Sequence, residues 1–191
     1  MANFHKLCVS PQANSLHSSC DIIHEHPAFD VRRFQLRHFF IFTVRKMYWA
    51  DWSRNRPKIE VANMDGTDRR VLVKYPLSLP NGLTLVHSTN ELCYSDAGMW
   101  AISCVNLGDL SMRKAYNPTT YPFGITSFNR TLFWTDWTLG RIQRMGMNSK
   151  IPDKPLRSFV GSNGKIFDIK AVQPCGRTGG KDWAIKVTKA S

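Results

Sequence analysis

Three aspartates stand in nearly the same local company. The segments 48-YWADW-52, 93-CYSDA-97 and 133-FWTDW-137 each place an aromatic or cysteine, an aromatic, a small residue and then Asp in a row. Asp51, Asp96 and Asp136 are therefore spaced by 45 and 40 residues. A carboxylate behind an apolar pair could move a proton, ligate a metal, or accept hydrogen bonds from buried backbone. The first use needs partners, and few are in view. The chain has no G-x-S-x-G elbow, no H-E-x-x-H pair and no dinucleotide fingerprint, and 161-GSNGK-165 is too short between its glycines for a P-loop. Of the six histidines only His87 lies among the aspartates. On these grounds the chain is expected not to be an enzyme and to need no cofactor.

Other reactive side chains read as follows. His24-Glu25-His26 with Cys8 and Cys20 invites a metal site, but the spacing fits no familiar zinc pattern, so none is expected. Cys93 and Cys104 fall at the ends of two expected strands joined by a short turn around Gly98, where a cross-hairpin disulfide is reasonable. Such a bond would place the protein outside the cell. Five cysteines cannot all pair within one chain, and Cys175 is left without a partner in this region. Asn129-Arg130-Thr131 is one candidate acceptor for N-linked glycan, in the turn before the third motif.

The elements that would position these groups repeat with the aspartates. Each motif leads into an alternating run: 59-IEVANMDGTDRRVLV-73, 102-ISCVNLGD-109 and 142-IQRMGMNS-149. The second and third are preceded by 79-LPNGLTL-85 and 121-YPFGITS-127, a Pro-x-Gly turn entering an apolar strand. Period-two alternation, β-branched and aromatic enrichment and Gly/Asn/Asp punctuation give about four short strands per unit. Four strands in ~40–45 residues is the size of one β-propeller blade. The expected fold class is all-β, a partial propeller of about three four-stranded blades. An ordinary antiparallel sandwich is the alternative, but it has no need of the repeated Asp motif.

These residues carry a resemblance. Tyr48-Trp49-Ala50-Asp51 and Phe133-Trp134-Thr135-Asp136 resemble the YWTD repeat (class B) of LDL-receptor-type propellers. The order 79-LPNGLTL-85, 92-LCYSDAG-98, 102-ISC-104, 121-YPFGI-125, 132-LFWTDW-137 and 169-IKAVQPCGRTG-179 is similar to the C-terminal propeller of the nidogen (entactin) family, over roughly residues 47–179. The resemblance implies that Tyr48, Trp49, Tyr94, Phe133 and Trp134 pack between blades. It also implies that Asp51, Asp96 and Asp136 tie blades together through backbone groups, as fold residues rather than catalytic ones. It implies a laminin γ-chain module and other basement-membrane proteins as partners, in an extracellular matrix glycoprotein. A lipoprotein-receptor-type ectodomain binding secreted ligands is the alternative, and a truncated product without function of its own is another.

In a propeller, the loops entering each first strand share a face with the loops between strands two and three. That makes Trp52, Arg54, Asn81, Trp100, Tyr121, Phe123, Trp137 and Arg141 candidates for one partner-binding surface, about half of the aromatics being expected in the core. The net charge of +12 divides as +3 over residues 1–46 and +9 over the rest, with no basic block of the kind that marks a nucleic-acid arm. Sulfated glycans are candidate partners for so diffuse a basic surface; nucleic acid is not expected. Nor is membrane insertion, since Phe39-Phe40-Ile41-Phe42 is far short of the ~20 apolar residues of a span.

Three segments are expected. Residues 1–46 match no part of the repeat and read as poorly ordered or non-native sequence; 47–175 are blades; 176–191 are a basic tail. Because YWTD propellers close with six blades, the resemblance implies the C-terminal half of a larger protein, with any signal peptide in a missing upstream part.

Overall fold

The computed structural model describes residues 40–42, 46–53, 55–158, 166–172 and 184–189. Within them the chain makes three four-stranded antiparallel sheets and a two-stranded one, each folded from consecutive strands. The first is β1 (Phe40–Phe42), β2 (Lys46–Asp51), β3 (Lys58–Asn63) and β4 (Arg70–Val73). The second is β5 (Pro80–Val86), β6 (Glu91–Asp96), β7 (Ala101–Asn106) and β8 (Met112–Tyr116). The third is β9 (Pro122–Phe128), β10 (Thr131–Asp136), β11 (Arg141–Gly146) and β12 (Arg157–Ser158). Strands β13 (Ile166–Val172) and β14 (Ala184–Lys189) form the fourth.

Two expected boundaries are corrected. Phe40–Phe42 lies inside the segment read as non-repeat, yet pairs with β2 in the register Phe40↔Trp49. The segment read as a basic tail is likewise strand in part, since Ala184–Lys189 pairs along β13. The three residues of β1 are too few to show a period, whereas β14 alternates Ile185 and Val187 with Lys186 and Thr188 and its lysines made it read as a tail. Residues 43–45, 159–165 and 173–183, with Cys8, Cys20, the His24–His26 group, Arg54 and Cys175, lie outside the described residues.

Sheets become blades because both faces of each strand find an apolar partner. Tyr48, Ala50, Ile59, Val61 and Val73 of the first blade pack on Leu83, Leu92, Tyr94 and Val105 of the second. Val86, Cys93, Ile102 and Cys104 of the second pack on Ile125, Leu132, Trp134, Met145 and Met147 around the third. Phe133 and Ile142 then meet Ile169, with Ile185 and Val187 beside them. Successive strand residues point to opposite faces. Tyr94 and Trp134, one residue past Cys93 and Phe133, therefore face the blade on the other side. Trp134 is fully buried, and truncating such a side chain to alanine typically costs ~3–5 kcal/mol. Cys93 and Cys104 stand directly opposite across β6 and β7 and are bridged. Their separation of 11 residues corresponds to about 3 kcal/mol in the chain-entropy account.

First strands of neighbouring blades run close together, and polar side chains join them. Thr84 donates to Ser127, Ser127 to the Leu85 carbonyl, and the Ala171 N–H to Thr126. Gly82 is demanded by this approach. A Cβ there would stand 2.6 Å from the Phe123 carbonyl oxygen and 2.8 Å from the Ile125 nitrogen, both backbone atoms of β9. Gly66 is the contrast: it has open space around a Cβ and a φ of +84° in the β3–β4 turn. Gly82→Ala is expected to lower stability by about 3 kcal/mol, whereas Gly66→Ala costs only the left-handed backbone penalty of ~1–2 kcal/mol. Urea unfolding of the two variants side by side measures the difference.

Candidate functional site

The repeated aspartates sit at the ends of β2, β6 and β10, where each second strand hands over to the turn before the third. Asp96 is buried and accepts four backbone N–H groups. Ser78 and Leu79 donate from the connection between the first two blades, and Gly98 and Met99 from the β6–β7 turn. Asp136 is 1% exposed and has a similar set. The Thr119 and Thr120 hydroxyls and the Thr120 and Tyr121 N–H groups reach it from the inter-blade connection, and Thr138 and Leu139 N–H groups from its own turn. Asp51, half-buried, accepts from Ser53 N–H and lies 3.7 Å from Lys58. Each buried carboxylate thus pins the entry into a blade against the middle of that blade.

Burial is the largest influence on Asp136 and pushes its pKa up. The Thr120 hydroxyl, Leu139 N–H, Thr119 hydroxyl and Thr120 N–H together outweigh it, and the carboxyl is held below its ordinary 3.8. A carboxylate so saturated with donors has no lone pair aimed at a substrate.

The small residues before two of the aspartates, Ser95 and Thr135, have their own task. Both Pro-x-Gly segments bulge, placing one extra residue in the first strand opposite the second. The bulge takes the glycine N–H out of the ladder. The Ser95 hydroxyl accepts it from Gly82 at 2.9 Å, and the Thr135 hydroxyl accepts it from Gly124 at 2.9 Å. Ser95 also donates to the Phe123 carbonyl of the next blade. Sequence reasoning saw these residues only as small; the hydroxyl beside a Pro-x-Gly strand was the signal available for their role. Thr119 and Thr120 were missed as well, although they immediately precede Tyr121-Pro122.

At the same end of the molecule four sheets converge on aromatic side chains. Trp52 of the β2–β3 loop meets Phe123 edge-on, with centroids 6.0 Å apart. Phe123 stacks on Trp137 at 3.9 Å, and Trp137 on Tyr121 at 5.5 Å. Trp137 donates its indole N–H to the Ile166 carbonyl of the fourth sheet. Asn81, from the second, donates to the Pro122 carbonyl. Of the residues expected on this surface, Trp52, Tyr121, Trp137 and Arg141 are half-buried and Trp100 is exposed. Two expectations are corrected: Asn81 is 0% exposed and Phe123 4%. Both are inner-strand residues at the bulge, turned against the neighbouring blade rather than to solvent. Trp100 stands apart from the stack, 61% exposed in the β6–β7 turn with φ +53°. Its counterpart four residues after Asp136 is Gly140, at φ +57°.

On the outward face of the first blade, Arg69 lies over the Trp49 ring at 5.2 Å and grips buried Glu60 through two bonds of 3.1 and 2.9 Å. Glu91 and Arg113 form a similar fork in the second blade. Among the described residues Glu91, Cys93 and Cys104 form a group with metal-ligand spacing. The two sulfurs are joined to each other and the carboxylate is taken by Arg113, so this group offers a metal nothing.

Consecutive four-stranded blades, inter-blade aromatic layers and donor-saturated aspartates in the second and third repeats define a partial β-propeller of the YWTD type. Residues 45–87 match the model of the low-density lipoprotein receptor repeat class B. The chain is 40% identical over 126 residues to Nidogen of Drosophila melanogaster, an alignment covering 64% of this chain and 9% of that protein. It is 30% identical over 128 residues to the Vitellogenin receptor of Solenopsis invicta, covering 66% of this chain and 7% of that protein. The chain therefore spans less than a tenth of the length of these curated relatives. Among solved structures, a chain in a nidogen/laminin complex superposes with a TM-score of 0.61 at 32% identity, over 65% of this chain and 47% of that one.

More distant structures correct one expectation. A luciferin-regenerating enzyme (TM-score 0.55, 11% identity, 69% of this chain and 48% of that one) and a gluconolactonase from Xanthomonas campestris (0.54, 14%, 68% and 48%) share the fold. Enzymes use this architecture, so the reading of the chain as a non-enzyme does not stand on its fold and missing motifs. At such identity the likeness shows the fold alone and supplies no reaction for this chain.

Asp136→Asn is expected to destabilise the protein by ~2–4 kcal/mol, because an amide cannot accept from donors on both sides. The sign of the pH effect follows from the depressed pKa. The carboxylate's contribution is complete above the unfolded value and is lost as pH falls below about 4. Acid titration of the melting temperature is therefore steeper below about pH 4 in the parent than in the Asn variant.

Proposed function

We propose that this chain is part of an extracellular-matrix binding protein whose aromatic end docks a laminin γ-chain module and so links basement-membrane networks. The observation that carries the reading is the convergence of Trp52, Phe123, Trp137 and Tyr121 at one end of the blades, with Trp100 exposed in the neighbouring turn. Trp and Tyr are the side chains most enriched at binding hot spots, and here they rest on a backbone braced by Asp96 and Asp136. Similarity to nidogen and to a chain of the nidogen/laminin complex supports the choice of partner. The Cys93–Cys104 bridge supports an extracellular setting, since such bonds persist in oxidising compartments. In this reading the diffuse positive charge offers sulfated glycans a weaker, salt-sensitive contact.

A second reading rests on the similarity to the Vitellogenin receptor: a receptor-type ectodomain presenting the same face to a secreted ligand. Saturable binding of vitellogenin with none of a laminin γ-chain module would select it.

Trp100 gives the cleaner test because it is exposed and its conformation suits glycine. Trp100→Gly is expected to leave stability unchanged or raise it by up to about 1 kcal/mol, while weakening binding of a laminin γ-chain module about 10-fold or more. Tyr121→Ala should weaken binding similarly. Surface plasmon resonance alongside thermal unfolding reads both effects. Unaltered affinity in both variants would remove this face from the interaction.

A further inference from the structure

The end of the blades opposite the aromatic face carries a candidate modification site. Asn129 and Arg130 form the two-residue connection between β9 and β10, flanked by the Phe128↔Thr131 pair. Both have positive φ, +45° and +59°, and both are exposed. Positive φ at both central residues is the type I′ hairpin, whose first position favours asparagine. The turn thus explains Asn129 by backbone preference alone, but it makes no demand on the residue two places on. That residue is Thr131, and the equivalent first positions of β2 and β6, five before each aspartate, are the charged Lys46 and Glu91. The third blade therefore departs from the others in a way that completes Asn-x-Thr.

The geometry points to Asn129 as an N-glycosylation site, an inference that rests on the extracellular reading above. In the transfer, the Asn129 side-chain nitrogen attacks C1 of a lipid-linked oligosaccharyl diphosphate. An N–C1 bond forms, the C1–O bond to the diphosphate breaks with its electron pair leaving on that oxygen, and the amide loses one proton. The same oxidising compartment that would close Cys93–Cys104 holds this donor. The strand β10 separates Thr131 from Asp136 by about 17 Å at ~3.4 Å per residue. A glycan on Asn129 would hang from the far end of the blade, covering the β9–β10 turn and leaving the aromatic face open.

The test secretes the full chain from eukaryotic cells and treats it with peptide-N-glycosidase in heavy-oxygen water before peptide mass spectrometry. Labelled aspartate at position 129 and a mobility shift on deglycosylation are expected. Asn129→Gly, which suits the turn, and Thr131→Ala should each abolish the shift, whereas Thr131→Ser, which keeps the acceptor sequence, should retain it. Unmodified Asn129 in secreted chains with Cys93–Cys104 bridged would overturn the glycan site alone. Free Cys93 and Cys104 thiols together with unmodified Asn129 would overturn the extracellular reading with it.

Discussion

A buried carboxylate that accepts hydrogen bonds from two separate stretches of backbone is the constraint on which this structure depends. Asp96 and Asp136 each lie at the end of a second strand and collect donors from the connection entering the blade and from the turn leaving that strand. Without them, the N–H groups of two irregular, partly exposed segments would lose the acceptor that holds each segment to its blade. With them, the connection entering each of these two blades is tied to that blade's own second strand by charge-assisted bonds, which carry a direction that apolar packing lacks. The apolar layers of Tyr94 and Trp134 fill the space between neighbouring blades.

The same clamp fixes the loops at the aromatic end of the blades. The segments holding Trp100, Tyr121 and Trp137 are those whose backbone Asp96 and Asp136 anchor. The loops are braced at their roots, and Tyr121 and Trp137 stack on each other above them. Preorganisation of this kind lowers the entropy lost on binding. Trp100 shows the other side of the arrangement: a bulky side chain held exposed in a backbone conformation that the third blade gives to glycine.

Much of this was legible in the residues. The repeated Asp motif, the Pro-x-Gly entries and the alternation between them determined blade number, strand order within a blade and the pairing of Cys93 with Cys104. The edges were not legible, because β1 is three residues long and the lysines of β14 obscured its alternation of Ile185 and Val187. Asn81 was misplaced for a related reason. A polar residue after proline reads as an exposed turn, whereas a bulge carries it against the carbonyl of Pro122 in the adjacent blade.

By itself, then, the sequence determined the elements whose causes are local: hydrophobic period, turn chemistry and the recurrence of one motif. Tertiary structure alone decided which polar groups face each other. Ser95 meets the Phe123 carbonyl and Trp52 meets the Phe123 ring across separations of 28 and 71 residues, distances over which no periodicity carries information. Those meetings follow from the stacking of whole blades, which brings together groups that only the completed packing can place.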